Sequence, residues 1–479
     1  MFRTVTLFAL LSVMHAQQTT APSGRPPAVI GGFGIPARAL GTGGGCQFAG
    51  PLLRIPSKAA GEEGIVVRVS PPVRPRYPDG APIAVHLNPP GTGGVEGSPA
   101  CLSEAGFIDV AGLCPGLSSK AQPDGKAWKS GGTASLDYRM CSEASADVLA
   151  FATGRLHSTD MKSIQDYVAG MTALTGNAGV IGYSIGGNIA VDAIARFGGR
   201  FPDLKWYASW ESPFAQAGFT LDEGSALKAN RFYDPKTGEI DFTTLRYLSD
   251  APVRYFPIAI VPAQARALKG ALVLDGGPLG PEALYPLLAT FHPGPALKVY
   301  YSPRVTRAAK ERAVFGAEWP AHIAGPEEAG QFQAAAEREL VAGVSPAVRR
   351  LPDLTVCVYE SVQHHVGDDA GHSWSVAQVN AFLDAGAHWV RLNPDAHYIE
   401  WAMGRKPSKI VQNPAGKRFT TASIRDAVEP EDRDGGPTDK AGMVAAAAEL
   451  ADRTRSGNWS PTLDRVLISS GDSGNSGKK

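Results

Sequence analysis

The sequence predicts an α/β fold: a doubly wound, mostly parallel sheet carrying an inserted cap-like region. Three observations carry that prediction. Short apolar runs bounded by turn residues alternate with segments whose apolar positions recur every three or four residues, the pattern of strands and covering helices. One buried run, 178–182, passes straight into a helix of small residues, 186–197. The alternation breaks between about 215 and 350 and then resumes, as an insertion would make it do.

In chain order, 64–69 and 81–87 read as strands, and 106–113 is similar. Helical periodicity follows over 142–152 and 163–174. After the 178–182 strand and its helix comes another strand, 205–210. The insertion holds two strand-like pieces, 270–274 and 296–301, and a helical pattern over 326–341. The sheet resumes with 354–359, a helix over 374–385 and a final strand, 388–392. Beyond 404 the chain is polar, with one Ala-rich helix near 440–451 and a Gly/Ser/Lys tail. Alternation of this kind argues a sheet covered on both faces. The expected organisation is a signal peptide over 1–16, a first core part over 28–214, the insertion over 215–350, a second core part over 351–403 and a C-terminal extension over 404–479.

At 479 residues, 43% hydrophobic and 19% charged, the chain can bury one large core or a core plus a subdomain. Lys plus Arg number 46 and Asp plus Glu number 46, so no bulk field draws it to nucleic acid or an anionic membrane. The start combines Arg3, an apolar run over 4–14 and Ala16 before Gln17. Those features read as a secretory signal too short to span a bilayer, so the mature protein is expected to be secreted or periplasmic, without stable membrane insertion. Five cysteines, Cys46, Cys101, Cys114, Cys141 and Cys357, show no CxxC spacing. Up to two disulfides are expected among the first four, with Cys357 in a strand-like run.

The chemistry centres on Gly182-Tyr183-Ser184-Ile185-Gly186-Gly187. This G-x-S-x-G follows an apolar strand and opens a small-residue helix, the setting in which a tight turn lifts a serine hydroxyl above a sheet beside free helix N–H groups. Here the chain resembles the α/β-hydrolase superfamily. The resemblance implies Ser184 as nucleophile and an oxyanion hole using the Ile185 N–H. A second donor would come from the loop His86-Leu87-Asn88-Pro89-Pro90-Gly91-Thr92, where the prolines have no N–H, leaving Gly91 or Thr92. His86 reads as a loop anchor.

The superfamily's chain order, serine, acid, histidine, implies His397 as general base in the loop after the last strand. The acid stays open. Asp369 is named first, with Glu211, Asp368 and Glu360 as alternatives, because the loop after 354–359 carries Gln363 and His364 where an aspartate is expected. Asp395 is read as too near His397 in sequence to orient it comfortably. Tyr183, Trp206, Tyr207 and Trp210 suit either an apolar pocket or, preferably, the sheet's core. No phosphate-binding motif or zinc ligand set is present, and the loop 274–280, with one acidic residue, reads as an exposed turn, so no cofactor or metal is expected.

The function so implied is hydrolysis of small-molecule or polymeric carboxylic esters by a Ser-His-acid mechanism through an acyl-enzyme. A serine peptidase of the same fold and a non-catalytic binding protein that keeps the fold are the alternatives. Substrate identity and oligomeric state are not legible.

Overall fold

The computed structural model describes residues 46–47, 49–87, 94–98, 102–134, 138–210, 212, 233–234, 239–253, 267–274, 282–283, 287–288, 298–359, 373–403 and 438–459. Its centre is an eight-stranded sheet. In chain order the strands are β1 (Leu52–Ser57), β2 (Gly61–Ser70), β3 (Ala81–Leu87), β4 (Ile108–Gly112), β5 (Ala173–Tyr183), β6 (Leu204–Trp210), β7 (Thr355–Tyr359) and β8 (Trp389–Leu392). Across the sheet they lie β1-β2-β4-β3-β5-β6-β7-β8. Only β2 runs against its neighbours; every pairing from β4 to β8 is parallel. The predicted mostly parallel sheet is present, and it places the ends of β3, β5, β6, β7 and β8 along one edge.

Period-two alternation splits the strand side chains between two apolar layers. Val85, Val180, Tyr207, Val356 and Val390 face helices α1 (Tyr138–Ala152), α2 (Ile185–Phe197), α4 (Pro326–Arg350) and α5 (Ser373–Asp384). Ala84, Ile181, Trp206, Trp210, Cys357, Tyr359 and Trp389 face α6 (Ala396–Met403) and α7 (Thr438–Ser456). That second layer works by size complementarity: the sheet supplies rings and α7 supplies a buried run of small residues, including Ala445, Ala446, Ala447 and Ala448. A Cβ on Gly442 would lie 2.0 Å from the Tyr359 ring. The Ala-rich helix read from the C-terminal extension is therefore a wall of the main core. Likewise Leu340, Val344, Ala347 and Val348 at the end of α4 pack into the first layer, although they fall within the segment read as insertion.

Within that segment Leu245–Pro252, Lys269–Leu274 and Glu282–Ala283 form a small antiparallel sheet. Together with helix α3 (Pro303–Glu311) it encloses its own cluster of Leu245, Leu272, Val299, Val305 and Ile323. His322 lies there, its Nε2 3.4 Å from the Gly270 carbonyl.

Three expectations change. The helical pattern over 163–174 folds only as a single turn, Ile164–Tyr167, before β5 begins at Ala173; Ser163 and Asp166 cap that turn reciprocally and Gly170 takes a positive φ. Strand β1 was not expected. Cys114 is a free thiol, so the first four cysteines can form at most one bridge, and Cys357 is likewise unbridged. Residues 1–45, Cys101 and the loop 275–280 lie outside the described residues. Among the described residues, no helix is long and apolar enough to cross a membrane.

Candidate active site

Strand β5 ends at Tyr183 and helix α2 begins at Ile185, so Ser184 alone makes the turn. It does so with φ 53 and ψ −130, a left-handed backbone that costs a non-glycine residue energy and is kept only where the surroundings impose it. Those surroundings are tight. A Cβ on Gly182 would meet the Gly187 Cα at 2.3 Å, and a Cβ on Gly187 would meet the Ser212 Oγ at 1.8 Å. The Ser184 N–H donates to the Trp210 carbonyl (3.0 Å) and the Gly187 N–H to the Ser184 carbonyl (2.9 Å). Behind the turn, the Tyr207 hydroxyl donates to the Gly187 carbonyl (3.1 Å) and receives a bond from Gln378 Nε2 (2.8 Å). The Ser184 hydroxyl itself is buried and makes no hydrogen bond among the described residues. A serine locked at a strained strand-to-helix turn, its hydroxyl without a partner among the described residues and next to the N–H of Ile185 at the head of a helix, has the geometry that nucleophilic attack with oxyanion stabilisation requires.

Trp206 and Tyr207 are core residues: both are fully buried, and the Trp206 indole N–H bonds Asn177 Oδ1 (3.2 Å). Tyr183 stacks on Trp210 with ring centroids 4.3 Å apart. His86 is buried at the end of β3, its Nε2 3.0 Å from Asp109 Oδ1 on β4, which fits the anchoring role. Burial raises the Asp109 carboxyl above its ordinary range, against the opposing pull of His86.

His397 leaves the sheet at the same edge as Ser184. Three strand spacings, about 14 Å, separate β5 from β8. The turn starts at Asn393, which has φ 56 and donates its N–H to the Val358 carbonyl of β7 (2.7 Å). Asp395 then caps α6: its Oδ1 accepts the His397 backbone N–H (3.0 Å) and lies 2.9 Å from His397 Nδ1. Nearness in sequence, expected to be an obstacle, is what makes this pair possible, because a helix cap and the residue two places on share one face of the first turn. With Nδ1 engaged, Nε2 is left as the basic nitrogen, and the ring is 61% exposed. Burial of Asp395 works against its charge, but bonds from the His397 backbone, the His397 ring and Arg391 prevail and hold the carboxyl below its ordinary range.

The other acids, Asp369, Asp368, Glu360 and Glu211, and the oxyanion candidates Gly91 and Thr92 lie outside the described residues. Behind Asp395 sits a group of charges that the sequence did not point to. Glu449 of α7 accepts from Arg391 (2.8 Å), from Arg453 (2.9 Å) and from the Asp395 backbone N–H (2.8 Å), while Arg391 also reaches Asp395 Oδ2 (3.2 Å). One turn further along α7, Asp452 receives both Arg76 nitrogens (2.7 and 2.6 Å) and the hydroxyls of Tyr77 (2.8 Å) and Tyr398 (2.9 Å). The signal available for the pair was local, an Asn-Pro-Asp cap before a helix; for Glu449 and Asp452 there was none, since an alanine-run helix with charges reads as a solvated one.

No protein-family model matches the chain. No curated protein matches it either. Among solved structures it is similar to feruloyl esterase B from Aspergillus oryzae (12% identity, 70% of this chain and 70% of that one, TM-score 0.31). It is also similar to tannin acyl hydrolase from Aspergillus niger (9% identity, 76% and 81%, TM-score 0.30). With Porphyromonas gingivalis dipeptidyl peptidase 4 it shares 11% identity over 72% of this chain but only 31% of that one, TM-score 0.31. The strand order, the one reversed strand and the strained serine between β5 and α2 give this protein the α/β-hydrolase fold.

Proposed function

We propose that the protein is a serine hydrolase that cleaves small-molecule carboxylic esters through an acyl-enzyme. The observation that carries this reading is Ser184: a buried hydroxyl with no partner among the described residues, on a left-handed residue at a helix N-terminus. Ser184 Oγ attacks the ester carbonyl as His397 Nε2 takes its proton. The oxyanion is met by the Ile185 N–H, with the second donor assigned to Gly91 or Thr92. The tetrahedral adduct expels the alcohol, which leaves with the proton from His397, and water then repeats the sequence to release the acid. Asp395 holds the imidazole in the tautomer with Nδ1 protonated and stabilises the imidazolium. The leader over 1–16 extends the reading to export of the mature chain from Gln17.

Fluorophosphonate labelling and hydrolysis of short-chain p-nitrophenyl esters, wild type beside Ser184→Ala, test it. Labelling and turnover present in the wild type and absent in the variant are expected. A wild type that neither labels nor turns over would transfer the protein to the non-catalytic reading.

A further inference from the structure

Asp395 is unusual among cap residues in being held on three sides. Its Oδ1 takes the two His397 donors, its Oδ2 faces Arg391, and its own N–H is fixed by Glu449 Oε2. Arg391 and Glu449 are themselves sealed, at 2% and 0% side-chain exposure. Glu449 thus occupies a dividing position: it draws Arg391 toward α7 through Oε1 and pins the Asp395 backbone through Oε2. Arg453, stacked 4.9 Å over the Trp389 ring, closes the far side of the same carboxylate without touching Asp395 by any described hydrogen bond. The four groups carry two positive and two negative charges, so the burial is compensated.

We infer that Glu449, on the C-terminal helix, is a positioning residue for the candidate base: by sharing Arg391 and anchoring the Asp395 backbone, it keeps Asp395 Oδ1 on His397 Nδ1. The inference rests on the reading of His397 as general base, but its structural part stands apart from catalysis. Without the Glu449 charge, the Arg391 Nη1 donor is released to join Nη2 on Asp395 and compete with His397 for its oxygens, and charge-assisted bonds to a guanidinium outcompete a neutral imidazole N–H. The ring then loses its fixed tautomer, and the fraction with a free basic Nε2 falls.

The test compares Glu449→Gln with Arg453→Met in the full chain. Both remove a sealed partner and both are expected to lower the unfolding temperature, but only the first breaks the bond to Asp395. Nitrogen-15 NMR of the histidine rings, with His397 assigned by its loss in His397→Gln, reads the tautomer directly. Wild type and Arg453→Met should hold the Nδ1–H form, and Glu449→Gln should show a mixture. With p-nitrophenyl acetate, kcat in Glu449→Gln should fall about tenfold with KM unchanged, because base orientation and not substrate binding is lost. An unaltered His397 tautomer in Glu449→Gln, or the same tautomer loss in both variants, would overturn the positioning role. Should Glu449→Gln not fold, Arg391→Met serves instead: with no side-chain donor at 391, the Nδ1–H form should be kept, and its loss overturns the proposal. A wild type that holds the tautomer but fails to label with fluorophosphonate would sink the hydrolase reading and leave the positioning role intact.

Discussion

The two faces of the sheet handle buried charge in opposite ways. On the face covered by α1 and α2, Asp192 pairs with Arg196 (2.7 Å) and Asp147 pairs with Arg200, but the two arginine side chains are 42% and 41% exposed. Those carboxylates are buried, but their arginine partners reach the rim and share solvent. On the face covered by α6 and α7, Arg76, Asp452, Arg391, Glu449 and Arg453 are all sealed, none more than 2% exposed. Sealing ions in an apolar layer costs desolvation that apolar residues of similar volume would avoid. The arrangement makes sense where the ions hold something in place, and here they hold Asp395 and Tyr398, which lie two places before and one place after His397.

The contrast is most sharply tested at Asp452. Replacing it with alanine strands Arg76, a buried cation whose charged state, despite the cost of burial, is favoured chiefly by Asp452. Stability to chemical denaturation should drop by about 3–5 kcal/mol; a loss near that of a surface pair would mean the sealed face carries no special weight. An intermediate effect is expected at Asp395→Asn, about 2 kcal/mol at neutral pH for charge-assisted bonds lost. Because the folded carboxyl titrates below its ordinary value of 3.8, the stabilisation is complete above that value. It disappears as pH falls through the lowered folded value. Unfolding curves of wild type and variant should therefore converge on acidification, and a gap that does not narrow as pH falls would contradict the assignment. The smallest change is expected at the rim, where Arg196→Ala should cost less than about 1 kcal/mol and the cost should shrink further in added salt.

How much was legible depends on distance along the chain. The elbow at Ser184 is largely a local event: Gly182 is there because the Gly187 backbone approaches where a Cβ would stand, and Gly187 because the Ser212 side chain does, and the six consecutive residues 182–187 carry the pattern. The order of strands was legible as a class but not in its limits, so the helical pattern over 163–174 was overruled by a capped single turn and the start of β5. Asp395 was visible but misjudged, since its reach to His397 depends on a helix starting at Ala396 and not on sequence separation alone.

By itself, then, the sequence determined a parallel-rich α/β sheet and a serine at a strand-to-helix turn, because apolar periodicity and glycine spacing are short-range properties. It could not determine that the Ala-rich helix after residue 404 is the wall of the core. Only tertiary structure decided that Glu449 meets Asp395 across 54 residues and that Asp452 meets Arg76 across 376. An isolated charge on an alanine helix looks the same whether it faces water or a buried arginine; the partner that distinguishes the two cases is supplied by the fold.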